Sequence, residues 1–425
     1  MAFSIVVSAE GMVQPCEQTP SDMLHLSVID TLPSLQFNVG TVHVFRHGPP
    51  DEEAAKVIKE ALAKALVPYY PLAGRIKEST QGGQAQVQVA CTGEGVWFVQ
   101  ASAHCTLLDV NYVDGDGEPL IPHQDFLPHY PPITLGFDPV VLIKVTQFKC
   151  NGFIVGLITH HCVADGLGAA QFLNAVGELA RGMQQPSIAP LWCREAIPTP
   201  PRLAYSAGDR KLPKLPAFEL ETGCVDISLD RINQIKQQHL QLTGRTCSTF
   251  EIVVASLWIC RTRAINFVVD TEVKLMFFAN GRRLLNPPLP EGFYGNCVYP
   301  LAIKASSGAI SRASLSEVVT LLQKAKKRSR KDFSQWIDSG LPDPFAPYIY
   351  SNLFISEWNR LGFNQVDYGW GPPLRMIPTQ GPKFPVALIL ALPKPNTGIR
   401  LITWSLEGTH LPYFMDEMMK IYHPF

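Results

Sequence analysis

The stretch VVLIKVTQFKC-NG-FIVGLITHHCVADG, residues 140–166, carries both the clearest structural signal and the densest group of reactive side chains in the chain. Two runs rich in β-branched residues flank Asn151-Gly152, the dipeptide best suited to a two-residue type I′ turn. The stretch therefore predicts an antiparallel hairpin whose second strand delivers His160 and His161 to its end. Because side chains alternate along a strand, the two rings are expected to point to opposite faces.

The strand end ITHHCVADG, residues 158–166, allows four interpretations: a metal site, a thiol nucleophile, a general base or a merely polar strand end. A metal site is disfavoured because adjacent histidines on a strand diverge, and no second cluster has zinc-ligand spacing. A thiol nucleophile would need an exposed Cys162 beside a base. A small buried residue is the more ordinary role of such a cysteine.

A general base at His161 fits this position best, because a strand end followed by a glycine turn can present an imidazole into a cleft. Asp165, four residues later, could orient His161 directly or could hold the turn through an arginine elsewhere. The residues alone leave the general base and the polar strand end as open alternatives.

Outward from the hairpin, helix and strand signals alternate irregularly, as in an α/β or α+β protein. Residues 52–66 and 169–182 have helical apolar spacing, and helical patterning resumes at 229–240. Ser248 and Glu251 fit a capping box that opens the next apolar helix. The apolar run VALILAL, residues 386–392, is far shorter than a membrane helix, so it predicts a buried strand.

The length of 425 residues favours two domains over a single core. Seven prolines fall within residues 184–221, which indicates a long extended connection between two halves. We therefore expect an N-terminal domain at 1–183, a proline-rich crossover at 184–221 and a C-terminal domain at 222–425. A segment near 380–400 is a candidate for crossing back to the N-terminal domain.

The composition is that of a globular protein, with 46% hydrophobic residues, 36 basic and 37 acidic residues. This balance gives no reason to expect nucleic acid or an anionic membrane as a partner. The basic run KAKKRSRK, residues 324–331, favours a solvated helix face over a nucleic-acid or polyphosphate patch. Ten cysteines without C-x-x-C spacing, and an N-terminus without a basic leader region, indicate reduced thiols in a cytosolic protein.

A second constellation is VDYGWG, residues 366–371, which places Gly369 and Gly371 around Trp370. Two glycines around a large ring require a sharply bent or closely approached backbone. The pattern favours a loop fixed by the Trp370 ring. The alternative, a second base at Asp367, is a weak catalytic candidate.

Together, HHCVADG and DYGWG, roughly 200 residues apart, resemble the H-x-x-x-D-G and D-F-G-W-G signatures of the BAHD family of plant acyl-CoA-dependent acyltransferases. Tyr368 stands where the family usually has Phe, and Arg283 directly follows Arg282 where the family often has R-x-R. The stretches LSVIDTLPSLQF and GFNQVDYGWG are most similar to the branch that contains benzoyl and taxane acyltransferases. Other stretches that agree with the family are YYPLAGRI at 69–76, ANGRRLLNPPLPEGFYGN at 279–296 and ISEWNRLGF at 355–363.

The resemblance implies an α/β fold of two similar-sized domains akin to chloramphenicol acetyltransferase, joined by a long crossover, with a channel between them. It implies that His161 is the general base in the middle of that channel. Asp165, next to Gly166, is implied to point away from the reacting atoms and to pair with an arginine, best matched by Arg282. The DYGWG loop is implied to be remote from the reacting atoms and to shape the side that receives coenzyme A.

The remaining site residues also come from the resemblance. Trp358 and Ser356 match positions that line the reaction channel, and Trp358 is a candidate donor to the oxyanion of the tetrahedral intermediate. Ser248, at a helix N-terminus, matches a contact to a phosphate of coenzyme A, and helix N-termini favour anions.

The expected activity is transfer of an acetyl, benzoyl or hydroxycinnamoyl group from acyl-CoA to the hydroxyl of a plant specialised metabolite. Amide formation on an amine acceptor and a non-catalytic binding protein on the same fold are the alternatives. We expect no metal and no permanently bound cofactor, with acyl-CoA as co-substrate. We further expect a cytoplasmic monomer that binds neither nucleic acid nor membrane.

Overall fold

The structure is a computed structural model, and it forms two compact units. Unit 1 comprises Met1–Leu212, Leu289–Cys297 and Leu361–Gln380, and unit 2 comprises Pro213–Pro288, Val298–Arg360 and Gly381–Phe425. The described residues are 3–50, 53–81, 84–113, 120–132, 138–201, 218–343, 346–379, 384–393 and 395–423.

Unit 1 is built on a six-stranded mixed sheet in the order β1-β6-β7-β8-β3-β13, with a separate three-stranded sheet in the order β2-β5-β4. Two helices, α1 and α2, pack against each other and share one apolar core with strand residues of the large sheet. The elements are β1 Ile5–Val13, β2 Met23–His25, β3 Asn38–Phe45, α1 Glu53–Ala65, β4 Arg75–Gln81, β5 Gln84–Ala90, β6 Val96–Ala103, β7 Val141–Phe148, β8 Phe153–His160, α2 Gly166–Ala180 and β13 Arg375–Pro378.

Unit 2 contains a second six-stranded sheet, in the order β11-β10-β12-β14-β15-β9. Helices α3 to α6 start at serine N-caps, and both α4 and α6 carry complete capping boxes. The elements are β9 Leu220–Ser228, α3 Leu229–Thr243, α4 Thr249–Ile265, β10 Glu272–Asn280, β11 Val298–Ser306, α5 Ser307–Arg312, α6 Leu315–Asp338, β12 Asn352–Glu357, β14 Val386–Ala391, β15 Gly398–Glu407 and α7 Leu411–Tyr422.

The predicted hairpin is confirmed, but its turn differs from the prediction. Strands β7 and β8 pair antiparallel, with Val141 opposite Thr159. Only Asn151 has a positive φ, of 61°, whereas a type I′ turn needs two such residues. The chain instead makes a longer, three-residue loop of the kind in which a type I turn is followed by a left-handed residue: the amide of Asn151 donates to the carbonyl of Phe148, and the amide of Phe148 donates to the carbonyl of Gly152. A side chain on Gly152 would meet Leu107, so packing explains this glycine.

The predicted helices α1, α2, α3 and α4 and the buried strand β14 are all confirmed. Helix α4 begins as expected, because Ser248 and Glu251 each hydrogen-bond the backbone of the other. The basic run lies on α6, where Lys326 pairs with Glu251 at 3.0 Å. Within the described residues, no helix is long and apolar enough to cross a membrane.

The chain returns to unit 1 twice after the proline-rich region, through Leu289–Cys297 and Leu361–Gln380. The expected return near 380–400 is therefore wrong: β14, which includes Val386, is an inner strand of the unit 2 sheet. An apolar run predicts a buried strand, but it does not say which sheet accepts that strand. Of the expected crossover at 184–221, residues 202–217 lie outside the described residues, and the preceding part pairs with unit 1 through Leu191 and Phe293.

Helix α2 holds both returning segments by close approach. A Cβ on Gly168 would lie 1.9 Å from the carbonyl oxygen of Tyr294, and one on Gly177 would lie 2.5 Å from that of Asp367. Both positions therefore need glycine. The side chain of Asn174 adds a hydrogen bond of 3.1 Å to the carbonyl of Gly362. The helix that follows the His161 turn thus fixes both segments by direct contact.

Candidate active site

His161 lies one residue past the end of β8, and its backbone extends the pairing of β8 with β3. Its amide donates to the carbonyl of Phe37 at 2.8 Å, and the two rings lie 5.2 Å apart. The imidazole is half-buried. A half-buried ring with a fixed backbone can meet a small molecule without losing its position.

The partner of the His161 ring comes from the first returning segment. Nδ1 of His161 lies 3.0 Å from Oδ1 of Asn296. The amide nitrogen Nδ2 of Asn296 donates to two oxygens, the carbonyl of His161 at 2.7 Å and Oδ1 of Asp30 at 2.8 Å. Asn296 has no exposed surface. The side chain is therefore held at both ends, inside unit 1.

These contacts fix the tautomer of His161. If the amide of Asn296 were reversed, its oxygen would face two acceptors, so Nδ2 must face them and Oδ1 must face the ring. An amide oxygen only accepts, so Nδ1 of His161 carries the hydrogen. In a neutral imidazole the other nitrogen, Nε2, then has a lone pair that can accept a proton.

Behind Asn296 lies a buried ion pair. The carboxylate of Asp30, which has no exposed surface, accepts from the backbone and side chain of Asn296 through Oδ1. Its Oδ2 accepts from Nε of Arg194 at 3.1 Å and from the amide and hydroxyl of Ser27. Each oxygen of this carboxylate is thus fully engaged, which is the condition for keeping a charge in the interior.

The environment lowers the pKa of His161. Burial is the main cause, and hydrogen bonding to Asn296 and the negative charges of Asp165 and Asp30 offset part of it. Burial likewise lowers the pKa of His160 to about 4. Both rings are therefore neutral at physiological pH, and a neutral ring is what a general base requires.

The other reactive side chains of the strand end have different surroundings. Cys162 has no exposed surface, lies in the apolar core of unit 1, and burial raises the pKa of its thiol well above the ordinary value. A buried neutral thiol is a poor nucleophile. Nδ1 of His160 accepts from the amide of Cys162 at 3.3 Å, so this ring braces the turn.

Asp165 is the N-cap of α2. Its Oδ1 accepts from the amide of Gly168 at 3.0 Å, and its Oδ2 accepts from the amide of Cys297 at 3.2 Å. The carboxylate thus joins the His161 turn to the first returning segment. Gly166 starts α2, and a Cβ there would lie 2.6 Å from the end of the Leu361 side chain.

The DYGWG loop is braced by its own aspartate. Oδ1 of Asp367 accepts from the amides of Gly369 and Gly371 at 2.8 and 2.9 Å, and both glycines have φ values near +100°, namely 113° and 92°. The ring of Trp370 packs edge-on against Phe153. This loop meets α2 at Gly177, which is twelve residues after the N-cap Asp165 and so about 18 Å along the helix from it.

The site residues that the sequence predicts in unit 2 make local hydrogen bonds. Arg282 lies in a short 3-10 helix, where its amide donates to Oδ1 of Asn280 at 3.1 Å. The indole Nε1 of Trp358 donates to Oγ of Ser356 at 2.9 Å. Oγ of Ser248 accepts from the amide of Glu251 and leaves its own hydroxyl hydrogen to donate.

Three residues of this site are not singled out by the sequence patterns: Asp30, Arg194 and Asn296. Asp30 and Asn296 fall within stretches that resemble the family, so a signal was present for them. Arg194 lies in the proline-rich region, where a single arginine carries no signal of burial. Within the described parts of the chain, no three His, Cys, Asp or Glu side chains gather as a metal site would need.

Three plant proteins are similar to the chain over almost its whole length. Acyl transferase 4 of Oryza sativa subsp. japonica is 43% identical and covers 98% of the chain and 99% of its own length. A myricetin 3-O-glucosyl 1,2-rhamnoside 6'-O-caffeoyltransferase of Crocosmia x crocosmiiflora is 41% identical, with 98% and 99% covered. The 3'-N-debenzoyl-2'-deoxytaxol N-benzoyltransferase of Taxus canadensis is 34% identical, with 97% and 95% covered.

Two solved structures share the fold. Vinorine synthase superposes with a TM-score of 0.80 at 20% identity, covering 99% of the chain and 98% of that structure. TRI101 of F. sporotrichioides, crystallised with coenzyme A and T-2, gives a TM-score of 0.71 at 14% identity, with 93% and 97% covered. The expected mixed α/β fold is therefore confirmed.

The family itself is identified by sequence. The model of the Transferase family matches residues 3–421. The match covers nearly every residue, and the relatives exceed 30% identity along their full lengths. The chain therefore belongs to this family, the BAHD acyl-CoA-dependent acyltransferases, and is an acyltransferase.

Proposed function

We propose that His161 is the general base in the transfer of an acyl group from acyl-CoA to the hydroxyl of a plant specialised metabolite. The observation that carries this proposal is the hydrogen bond between Nδ1 of His161 and Oδ1 of Asn296. It places the hydrogen on Nδ1 and leaves Nε2 as the proton acceptor. A half-buried neutral imidazole is well suited to take a proton from an alcohol during attack.

The reaction then proceeds by direct transfer. Nε2 of His161 takes the proton from the acceptor hydroxyl as its oxygen attacks the thioester carbonyl, and a tetrahedral oxyanion forms. The carbon–sulfur bond breaks, the carbonyl is restored, and the sulfur of coenzyme A leaves with the proton from His161. The products are the ester and free coenzyme A, and no acyl-enzyme is formed.

For the oxyanion we propose the pair of Ser356 and Trp358, with Ser356 as the donor. The single N–H of Trp358 already donates to Oγ of Ser356. The oxyanion would have to compete for that hydrogen, whereas the hydroxyl of Ser356 can turn toward it. This arrangement favours Ser356 over Trp358, which was the candidate from sequence.

Three further roles are carried over from the family resemblance as proposals. Asp165 is proposed to pair with Arg282 and so to keep its carboxylate away from the reacting atoms. Ser248, at the N-terminus of α4, is proposed to contact a phosphate of coenzyme A. The DYGWG loop is proposed to shape the side that receives coenzyme A, with Asp367 as its brace.

For the substrates, we propose an acetyl, benzoyl or hydroxycinnamoyl donor and an alcohol acceptor. The name of the Crocosmia relative specifies a caffeoyl donor and a glycosylated flavonol, which supports the hydroxycinnamoyl class. The name of the Taxus relative specifies N-benzoylation, which supports an amine acceptor as the second candidate. The alternative of a non-catalytic binding protein is set aside, because the chain is an acyltransferase.

We further propose a cytoplasmic monomer without a permanently bound cofactor, which binds neither nucleic acid nor membrane. Size-exclusion chromatography with light scattering measures the oligomeric state, and a monomer mass near 47 kDa is expected. Salt-dependent retention on DNA tests nucleic-acid binding, and weak retention is expected.

The decisive experiment incubates the purified protein with a panel of acyl-CoAs and plant alcohols and amines, and follows release of free thiol. Thiol release that depends on both substrates and is lost in His161→Ala is the expected result. Thiol release at the wild-type rate in His161→Ala would exclude His161 as the base.

A further inference from the structure

Arg194 is a buried cation of unit 1 with three hydrogen-bond acceptors around it. Its guanidinium donates to Oδ2 of Asp30 at 3.1 Å, to the carbonyl of Val163 at 2.6 Å and to the carbonyl of Trp192 at 2.9 Å. Its side chain is 2% exposed. The three groups lie in different parts of the chain, and one of them, Val163, belongs to the turn that carries His161.

The fold makes room for this one guanidinium. A Cβ on Gly295 would lie 2.4 Å from its central carbon, so Gly295, next to Asn296, has to be a glycine. The cation also lies 3.9 Å above the Trp192 ring and 5.0 Å from that of Tyr294. Such contacts stabilise a charged arginine in the interior. A neutral side chain at this position would leave the buried carboxylate of Asp30 without a cation.

We infer that Arg194 is a positioning residue of the reaction, which sets the tautomer of His161 through Asp30 and Asn296. The inference rests on the proposed role of His161 and extends it. Arg194 balances the charge of Asp30, and the charged carboxylate can only accept hydrogen bonds. Asn296 must then turn Nδ2 toward Asp30 and Oδ1 toward His161, which puts the hydrogen on Nδ1.

Loss of the guanidinium weakens this chain of constraints. A buried carboxylate without a cation is costly, and taking up a proton relieves the cost. A protonated Asp30 can donate to an amide oxygen, so only the carbonyl of His161 still holds Nδ2 of Asn296 in its original direction. In the fraction of molecules in which Asn296 reverses, its Nδ2 faces Nδ1 of His161 and favours the tautomer with the hydrogen on Nε2, which cannot accept a proton from the acceptor.

The test compares Arg194→Gln with wild type by ¹⁵N NMR of the full-length protein labelled at histidine nitrogens, with His161 assigned from a His161→Gln variant. We expect Nδ1 of His161 to be protonated in wild type and Nε2 to be protonated, fully or in part, in Arg194→Gln. We also expect kcat to fall by about 10- to 100-fold, by analogy with groups that orient metal-bound histidines, with little change in the KM for acyl-CoA. Arg194→Lys, which keeps the charge, should restore the wild-type tautomer.

A matched control is Arg75→Gln. Arg75 is also buried in unit 1 and donates to the carbonyls of Gly74 and Gly95, but it does not contact Asp30. It should lose stability without any change in the ¹⁵N pattern of His161. If Arg194→Gln does not fold, Asp30→Asn tests the same link at unchanged volume. The amide oxygen of the new side chain would accept from Arg194 and Ser27. Its NH₂ group would then face Asn296 as a donor.

An unchanged His161 tautomer in folded Arg194→Gln, or in Asp30→Asn, would overturn the inference. Equal losses of kcat in Arg194→Gln and Arg75→Gln, with the same ¹⁵N pattern of His161 in both variants, would also overturn the inference. Arg194 would then have a purely structural role. A changed tautomer with unaffected kcat would support the link from Arg194 and would overturn instead the role of His161 as base. The two proposals can therefore fail separately.

Discussion

At the scale of single residues, His161 and His160 are adjacent but are expected to differ in function. His161→Ala should lower kcat by about 10²- to 10⁴-fold, the usual contribution of a positioned general base. His160→Ala should matter far less, because that ring accepts from the backbone of Cys162 and braces the turn. Steady-state kinetics with the best substrate pair measure both, and equal losses in the two variants would contradict the assignment.

The pH dependence follows from the lowered pKa of His161. Burial favours the neutral ring in the folded protein. The charges of Asp165 and Asp30 and the hydrogen bond to Asn296 favour the protonated ring and offset part of this effect, and His160 is the neighbouring titratable ring. The base is therefore active above its folded pKa and is lost as pH falls through it. We expect kcat/KM to fall on the acid side with an inflection below about 6.5, the ordinary histidine value. An inflection of this group above neutral pH would contradict the assignment.

The same group affects stability with a defined sign. Since the unfolded chain takes up the His161 proton at a higher pH than the folded chain, this residue destabilises the fold as pH drops below about 6.5. Urea unfolding at several pH values measures the effect, and His161→Gln should reduce it. The expected result is a free energy of unfolding that decreases as pH falls.

At the scale of elements, the close approach of α2 to the first returning segment can be tested at Gly168. A Cβ there would lie 1.9 Å from the carbonyl oxygen of Tyr294, which is backbone and cannot move aside easily. Gly168→Ala should destabilise the protein by about 1–3 kcal/mol, the range for overpacking, although alanine favours helices. Gly11→Ala, where nothing lies within 4 Å, is the control in urea denaturation and should stay close to wild type.

The DYGWG loop provides the second test at this scale. Asp367→Asn keeps an oxygen that can accept from Gly369 and Gly371, so activity and stability should stay near wild type. Asp367→Ala removes both hydrogen bonds and should cost about 1–3 kcal/mol in the free energy of unfolding. Thermal unfolding and kinetics measure the pair. An inactive Asp367→Asn protein with normal stability would show that the carboxylate takes part in the chemistry.

At the scale of the whole molecule, the order of chemistry separates direct transfer from a covalent route. Direct transfer needs donor and acceptor bound together, so initial rates should fit a ternary-complex mechanism. Cys162→Ala should keep near-normal activity, since its thiol lies in the core of unit 1. Intact-mass spectrometry after mixing with acyl-CoA alone should show no adduct. A stoichiometric adduct that disappears in Cys162→Ala would restore the thiol mechanism.

The sequence by itself determined the local elements and the family. Helices α1 to α4, the hairpin and β14 follow from periodicity and capping, which act within a few residues and so can be read in order along the chain. The same kind of local pattern, a strand end followed by a glycine turn, made His161 a candidate base, and the family resemblance then assigned it that role. The family followed from several motifs in a fixed order.

Only the tertiary structure decided what surrounds His161. Asp30, Arg194 and Asn296 are separated by more than a hundred residues along the chain, yet they form one hydrogen-bonded network. The tertiary structure likewise decided which segments return to unit 1 and that β14 joins the sheet of unit 2. Local patterns specify which residues are apolar and where elements end. The partner of a buried polar group is chosen by packing over long sequence separations, which no local pattern records.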